Sequence, residues 1–402
     1  MRPASLTPHG LAWALFALAL GGVAIGVGEF VPMALLPEIG HGIHENDTTT
    51  GHVVSAYALG VVVGAPVIAT LAVRVPRRAL LVALMAAYAI GNVLSAIAPG
   101  YGALLAARFL CGLPHGAFFG VAALVAATIA GPERRAWAVG RVMLGLSVAN
   151  VVGVPAATWL GQSLGWRTTF AAVAAIALLA VLALMRFVAT IQAPADSSPL
   201  RELGALKQVQ VWLTLGVAAI GLGGLFAVYS YITPTLTHRA GISADLVPFV
   251  LSVFGLGMIA GNLVGGWLVD RALVPALYII LTAFAGFLAI FAVVSAHPVG
   301  AVLGVFLVGT GVSAGVGLQT RLMDVAHEAQ TLAAALNHAA FNAANALGPW
   351  LGGLAIAAGY GWQSPALVGV GLAGLGLCVF TVAVALERRT RTASRDRALV
   401  ER

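Results

Sequence analysis

The sequence predicts an all-α membrane protein with twelve transmembrane helices, and three observations carry that prediction. Of 402 residues, 60% are hydrophobic and only 9% are charged, against about 25% charged in soluble domains. The mean hydropathy is +0.98. Apolar stretches recur twelve times at lengths that cross a hydrocarbon layer about 30 Å thick. A β-barrel would instead alternate over segments of about ten residues and carry more charge toward its lumen.

In order, the first six apolar segments fall near 10–36, 51–73, 79–98, 101–129, 136–160 and 168–190. The second six fall near 210–236, 246–269, 274–295, 298–320, 332–357 and 364–386. The first follows Arg2 and His9 without a cleavage site, so it reads as a retained helix. Gly and Pro inside the spans are tolerated there and favour close helix packing. Cys111 and Cys378 fall within spans, so no extracytoplasmic disulfide is expected.

The net charge of +7 comes from basic residues spaced beside the spans, which argues for membrane orientation and against a nucleic-acid partner. One side would carry Arg74, Arg77, Arg78, Arg134, Arg135, Arg186, Arg271, Arg321 and the arginine-rich tail. The other has only Arg167 and Arg239, beside Glu38, Glu45, Asp47 and Asp245. Both termini of this multi-pass membrane protein are therefore expected in the cytoplasm.

Residues 191–209 interrupt the pattern with Pro194, Asp196, Pro199, Arg201, Glu202 and Lys207. The expected organisation is a six-helix bundle over 1–190, this linker, a second bundle over 210–386 and a tail over 387–402. The halves echo each other. Gly153-Val154-Pro155 precedes Trp166 much as Gly348-Pro349 precedes Trp362, and Arg74 corresponds to Arg271 at an offset of 197 residues. Such a repeat fits two bundles related by an axis along the membrane normal.

Motifs add a family resemblance. Gly265-Gly266-Trp267-Leu268-Val269-Asp270-Arg271 is similar to the glycine–acid–arginine loop of the major facilitator superfamily; the first half has Val73 where the acid is expected. Arg108-Phe109-Leu110-Cys111-Gly112-Leu113-Pro114-His115-Gly116 resembles that family's arginine-bearing fourth helix, in the form of arabinose-exporter-like members. Gly145, Asn150, Gly153 and Pro155 resemble the kinked fifth helix of antiporters, and Gly28-Glu29-Phe30-Val31-Pro32-Met33 is typical of the same subgroup. The resemblance implies the major facilitator fold, two pseudo-symmetric six-helix bundles, in the drug:proton antiporter branch with sugar, nucleoside and chloramphenicol exporters.

Glu29 is the one acid deep inside a span, and Arg108 the one arginine at similar depth. At 1.5 Å rise per residue each lies roughly 10 Å below the outer boundary. A charge kept in lipid usually lines a polar cavity or is paired. Glu29 is expected to carry protons with Arg108 as electrostatic partner or cavity anchor; a purely structural ion pair is the alternative.

His338, Asn342 and Asn345 follow i, i+4 and i+7 spacing and so share one helix face. They either line a substrate cavity or bond neighbouring helices. His115 and Asn150 offer a matching set in the first half, and Tyr229 and Tyr231 an aromatic wall or an interfacial anchor. Gating candidates are Arg74, Arg77, Arg78, Arg141, Asp270, Arg271, Arg321, Asp324 and Glu328. Arg141 can equally snorkel to the interface, and Asp324 and Glu328 can simply be solvated. Gly145, Gly153, Pro155, Gly348 and Pro349 are kink or packing positions.

No nucleotide-binding motif, catalytic constellation or metal site stands out, and His41, His44 and His52 do not make one. Neither enzyme activity nor a cofactor is expected. The expected function is proton-coupled export of a small molecule by alternating access, with protons, substrate and lipid as partners and a monomer as the working unit. A solute importer or uniporter, or a non-transporting receptor, is the alternative.

Overall fold

A computed structural model of the chain describes residues 7–72, 74–131, 134–191, 207–326 and 330–400. Twelve membrane-length segments make up the architecture. The first half holds α1 (Pro8–Ala34), α2 (His52–Leu71), α3 (Arg77–Ala96), α4 (Tyr101–Ala130), α5 (Arg135–Val148, continued by Val154–Leu164) and α6 (Trp166–Phe187). The second holds α7 (Val209–Ser230), α8 (Val247–Arg271), α9 (Leu273–Val294), α10 (Pro298–Val325), α11 (Gln330–Ala357) and α12 (Ser364–Val400). Eleven of them are long and apolar enough to span a bilayer by length and composition; α11, interrupted by His338 and its asparagines, completes the set. The chain is a multi-pass membrane protein.

Local chemistry sets the helix ends. Thr7 Oγ1 accepts the Gly10 N–H (3.2 Å) ahead of Pro8, a side-chain cap followed by a proline that needs no donor. Gly165 at φ +92° ends α5 and lets α6 start one residue later. The expected linker at 191–209 falls largely outside the described residues. The backbone of α12 continues as helix to Val400, through most of the stretch expected as a tail.

Each half builds its own core, one centred on Tyr57, Tyr88, Phe118, Phe119 and Phe170, the other on Phe254, Phe284, Phe291 and Phe380. Phe30, Met33, Ala34, Val54 and Val154 of the first half belong to the core of the second. Because the helices alternate in direction, these residues lie toward the face opposite the chain ends. The halves are therefore sealed on that far face.

The internal repeat is visible as packing. A Cβ on Gly60 of α2 would run into the Phe109 carbonyl oxygen of α4, and one on Gly257 of α8 would run into the Phe306 carbonyl oxygen of α10. Both residues of the second pair lie 197 residues after those of the first. Without side chains there, two helix backbones meet directly, the usual way membrane helices associate when lipid removes any hydrophobic drive.

Gly60→Ala and Gly257→Ala are each expected to destabilise the protein by about 1–3 kcal/mol, because the obstacle is backbone that cannot move aside. Gly266→Ala, with nothing within 4 Å of the added carbon, should stay within about 0.5 kcal/mol of the wild type. Thermal or denaturant unfolding in one detergent compares the three.

Candidate functional site: a central cavity roofed by Glu29

Proline positions decide where this fold exposes backbone. Pro32 lies inside α1 and has no N–H, so the Gly28 carbonyl one turn earlier loses its intrahelical donor. The Arg108 guanidinium supplies the replacement, donating from Nη2 to Gly28 O at 2.7 Å. Arg108 is fully buried. Its guanidinium carbon sits 4.4 Å from the ring centre of Tyr57 (α2) and 5.3 Å from that of Phe170 (α6). One side chain of α4 thus joins α1, α2 and α6.

Glu29, next along α1, turns the other way. Its Oε1 accepts a hydrogen bond from Asn345 Nδ2 of α11 at 3.1 Å, so the carboxylate is bonded across the two halves. The two charges expected as a pair send their hydrogen bonds to different helices, Arg108 to α1 and Glu29 to α11.

Below Glu29 lies a cavity of about 310 Å³ between the halves, at the lower end of the range for small-molecule sites. Its polar lining is Glu29, His115, Ser147, Asn150, Asn262, Gln319, Asn337, His338 and Asn342, and its apolar lining includes Phe30, Phe226, Phe341, Met143 and Met258. Among the described residues neither lysine nor arginine lines it. Gly140 and Gln319, near the chain-end termini of α5 and α10, place its mouth on the face that carries the chain ends.

Kinks aim the walls. Pro114 breaks α4 after Gly112, and His115 opens its second segment. There Tyr57 Oη and His115 Nδ1 are 2.9 Å apart, and His338 stacks on Phe119 with ring centres 5.2 Å apart and 10° between planes. The two imidazoles face each other across the halves at 6.1 Å. In α5 one wide turn, Ala149–Gly153, precedes Pro155 and brings Asn150 to the wall.

The same turn creates the far seal. Pro155 strips the donor from the Val151 carbonyl, and Ser252 Oγ of α8 donates to it at 3.1 Å. Near Pro349 in α11, Ser55 Oγ of α2 donates to the Ala346 carbonyl at 3.2 Å. Ser55 and Ser252 are 197 residues apart, so the seal is built twice by the internal repeat. Thr233 Oγ1 to Ala34 O (2.5 Å) and Gln162 Nε2 to Ala244 O (3.3 Å) reinforce it. Glu38 lies on the same face in the short helix Leu36–Ile43, where burial holds its carboxyl above its ordinary range.

Several expected positions fall elsewhere. Tyr229 does not line the cavity: it is buried between Phe30 (5.3 Å) and Phe254 (4.3 Å). Tyr231 donates to Pro349 O of its own half at 3.0 Å and packs against Gly51 of the other half, away from the cavity. Asn345 is drawn off the cavity face by Glu29, while His338 and Asn342 stay on it. Arg108 is walled off behind Tyr57, so it anchors helices and not the cavity. Gly145 meets the Ala19 carbonyl, Gly153 the Val27 side chain and Gly348 the Gly223 carbonyl, all as close-packing points.

The gating candidates also spread out. Arg321 points into the second bundle and bonds Glu387 (3.1 Å) and Gln210 (3.2 Å), while Asp324 is exposed. Glu328 lies outside the described residues. Arg141 and Arg271 stack on Trp137 and Trp267 of their own helices. Asp270 and Arg74 are exposed. Arg77 is buried at the start of α3, and Arg78 donates to the Met185 carbonyl. Helical spacing misses Asn262, Gln319 and Asn337 as lining residues; each is an amide inside an apolar span, the signal that finds them.

This geometry can be set beside known proteins. Residues 18–335 match the profile described as Major Facilitator Superfamily. The chain belongs to that superfamily. It is 39% identical over 364 residues to the inner membrane transport protein YdhP of Escherichia coli (strain K12), covering 90% of this chain and 94% of the relative. It is 32% identical over 371 residues to a chloramphenicol resistance protein of Streptomyces lividans, covering 89% and 94%. The nucleoside transporter NupG, solved as a point mutant, has the same fold, at TM-score 0.72 and 14% identity, covering 92% of this chain and 99% of that one. This major facilitator superfamily protein therefore has a transporter fold with its cavity between the two halves.

Arg108→Lys is expected to lower stability by about 1–3 kcal/mol, since an ammonium cannot keep the Gly28 bond while lying flat against two rings. Tyr57→Phe should cost less, because the ring face under the guanidinium remains. Unfolding in detergent measures both.

Proposed function

We propose that this chain exports small, neutral or weakly charged molecules in exchange for protons, by alternating access. The observation that carries the reading is Glu29. It is a carboxylate buried in a membrane fold, at the roof of the cavity, hydrogen-bonded to the opposite half. Buried intramembrane acids of this kind serve as proton relays in transporters. The predominance of basic residues on the face of the chain ends supports a cytoplasmic mouth, so the state described is inward-facing.

The cycle follows from which contacts each proton state favours. With Glu29 ionised, its bond to Asn345 is charge-assisted and holds α1 to α11 beneath the far seal. Substrate from the cytoplasm enters among the amides, imidazoles and phenylalanines. After the bundles rock, Glu29 takes a proton from outside as substrate leaves. Neutralising it weakens the Asn345 bond and resets the ligand preference of the cavity. The cavity lining, one acid without a basic partner, supports solutes carrying hydroxyl or amide groups on an apolar frame. The chloramphenicol resistance protein among the relatives supports drug export in particular. The translocation path lies within one chain, in keeping with a working monomer.

In proteoliposomes, substrate movement down its gradient is expected to drive protons the opposite way. Glu29→Gln should abolish that proton flux while substrate exchange between the two sides continues. Proton flux of wild-type size in the Gln variant, or co-directional movement of substrate and protons, overturns the assignment.

The two serine bonds belong to the inward-facing state alone. Ser55→Ala with Ser252→Ala is expected to remove about 1 kcal/mol of sealing per bond, and so to populate far-face opening roughly thirtyfold more, against about fivefold for either change alone. Distances between spin labels placed on the far ends of α2 and α8, against α11 and α5, report the shift.

A further inference from the structure

A second recess, outside the transport path, lies where the ends of α1, α3 and α6 meet on the face of the chain ends. It measures about 530 Å³ and is lined by Gly10, Trp13, Arg78, Arg186, Phe187 and residues just after α6. Two guanidiniums converge on it, and among the described residues no carboxylate lines it. Arg78 spends one donor on the Met185 carbonyl, which ties α3 to α6. A guanidinium has five N–H donors, so others stay available. Arg186 is exposed, with its guanidinium carbon 5.4 Å from the ring centre of Phe187.

Beneath the two charges the surface turns apolar. Trp13 stacks on Phe187 with ring centres 5.0 Å apart and meets Phe16 edge-on at 5.7 Å. Leu182 and Leu179 lie i−4 and i−7 from Arg186, so they continue its helix face toward the middle of the membrane. Trp13, Phe16, Leu179 and Leu182 are all exposed. The arrangement is cationic at the level of the helix ends and apolar along the track below it.

We propose that this recess is a binding site for an anionic phospholipid, with the phosphodiester between Arg78 and Arg186 and an acyl chain along the Phe16–Leu179–Leu182 track. Guanidinium is the side chain best matched to phosphate, through paired N–H donors. Basic pockets between transmembrane helices on the cytoplasmic side hold acidic headgroups by the same chemistry. A free phosphate would use the two arginines and leave the apolar track idle; a zwitterionic lipid would bring a second cation beside them. The site lies away from Glu29, so it stands or falls apart from the proposed transport reaction.

Native mass spectrometry of the full chain, released from micelles holding phosphatidylglycerol, cardiolipin and phosphatidylcholine in equal amounts, tests the proposal. The wild type is expected to retain an anionic lipid at least fivefold over phosphatidylcholine. Arg78→Gln with Arg186→Gln should lose most of that preference, and Arg78→Lys with Arg186→Lys should keep part of it. Equal retention of zwitterionic and anionic lipid by the wild type overturns the site, a result that needs no variant to fold. So does an undiminished preference in a monodisperse Gln pair. Inorganic phosphate stabilising the wild type against heat as strongly as the lipids would mark a free-anion site and overturn the lipid assignment.

Discussion

The first bundle depends on one hydrogen bond, from the buried Arg108 guanidinium to the Gly28 carbonyl that Pro32 leaves without a donor. Nη2 meets the need of that carbonyl, while Nε and Nη1 lie buried without a hydrogen-bond partner among the described residues. A bare carbonyl in a membrane fold is costly, and so is a buried cation. Placed together, with Tyr57 and Phe170 against the guanidinium faces, they fix how α1, α2, α4 and α6 meet. They also fix Glu29, which follows Gly28 directly and is thereby presented to the other half.

The same device recurs where the halves meet. Pro155 opens the Val151 carbonyl that Ser252 fills; Ser55, 197 residues before Ser252, bonds the Ala346 carbonyl, which keeps its own helical donor, so there the serine alone repeats. Prolines in membrane helices are usually read as kinks. At Pro32 and Pro155 they also manufacture acceptors, and a partner helix closes both. Inside a bundle the closing group is a buried arginine that cannot leave without stranding its charge. Between bundles it is a serine, whose bond is worth about 1 kcal/mol and can be exchanged. That difference suits a rigid half and a reversible seal.

Superfamily membership and the cavity agree on transport, and the cavity adds chemistry that a fold cannot. Amide and imidazole groups face each other across the halves, and aromatic and methionine side chains fill the spaces between them. The opposed His115 and His338, 6.1 Å apart, come from helices of different bundles, so any motion that opens the far face changes their separation. A solute seated there would contact both halves at once, which is what couples its presence to their relative position.

The sequence by itself determined the membrane class, the twelve spans, the internal repeat and the residues worth watching, because hydropathy, span length and charge placement are summed over many positions and survive local error. Its isolated polar residues, Glu29, Arg108, His115, Asn150, His338 and Asn342, were legible because each is expensive in an apolar span. Only the tertiary structure decided their partners. Helical spacing gave His338, Asn342 and Asn345 one face, yet a cross-bundle bond claimed Asn345 for Glu29. Charge paired Arg108 with Glu29, yet the carbonyl freed by Pro32 took the guanidinium. Tyr229 and Tyr231 went to packing, and Arg321 went to Glu387. Those choices turn on ångström distances between helices far apart in the chain, and no periodicity within a single helix encodes them.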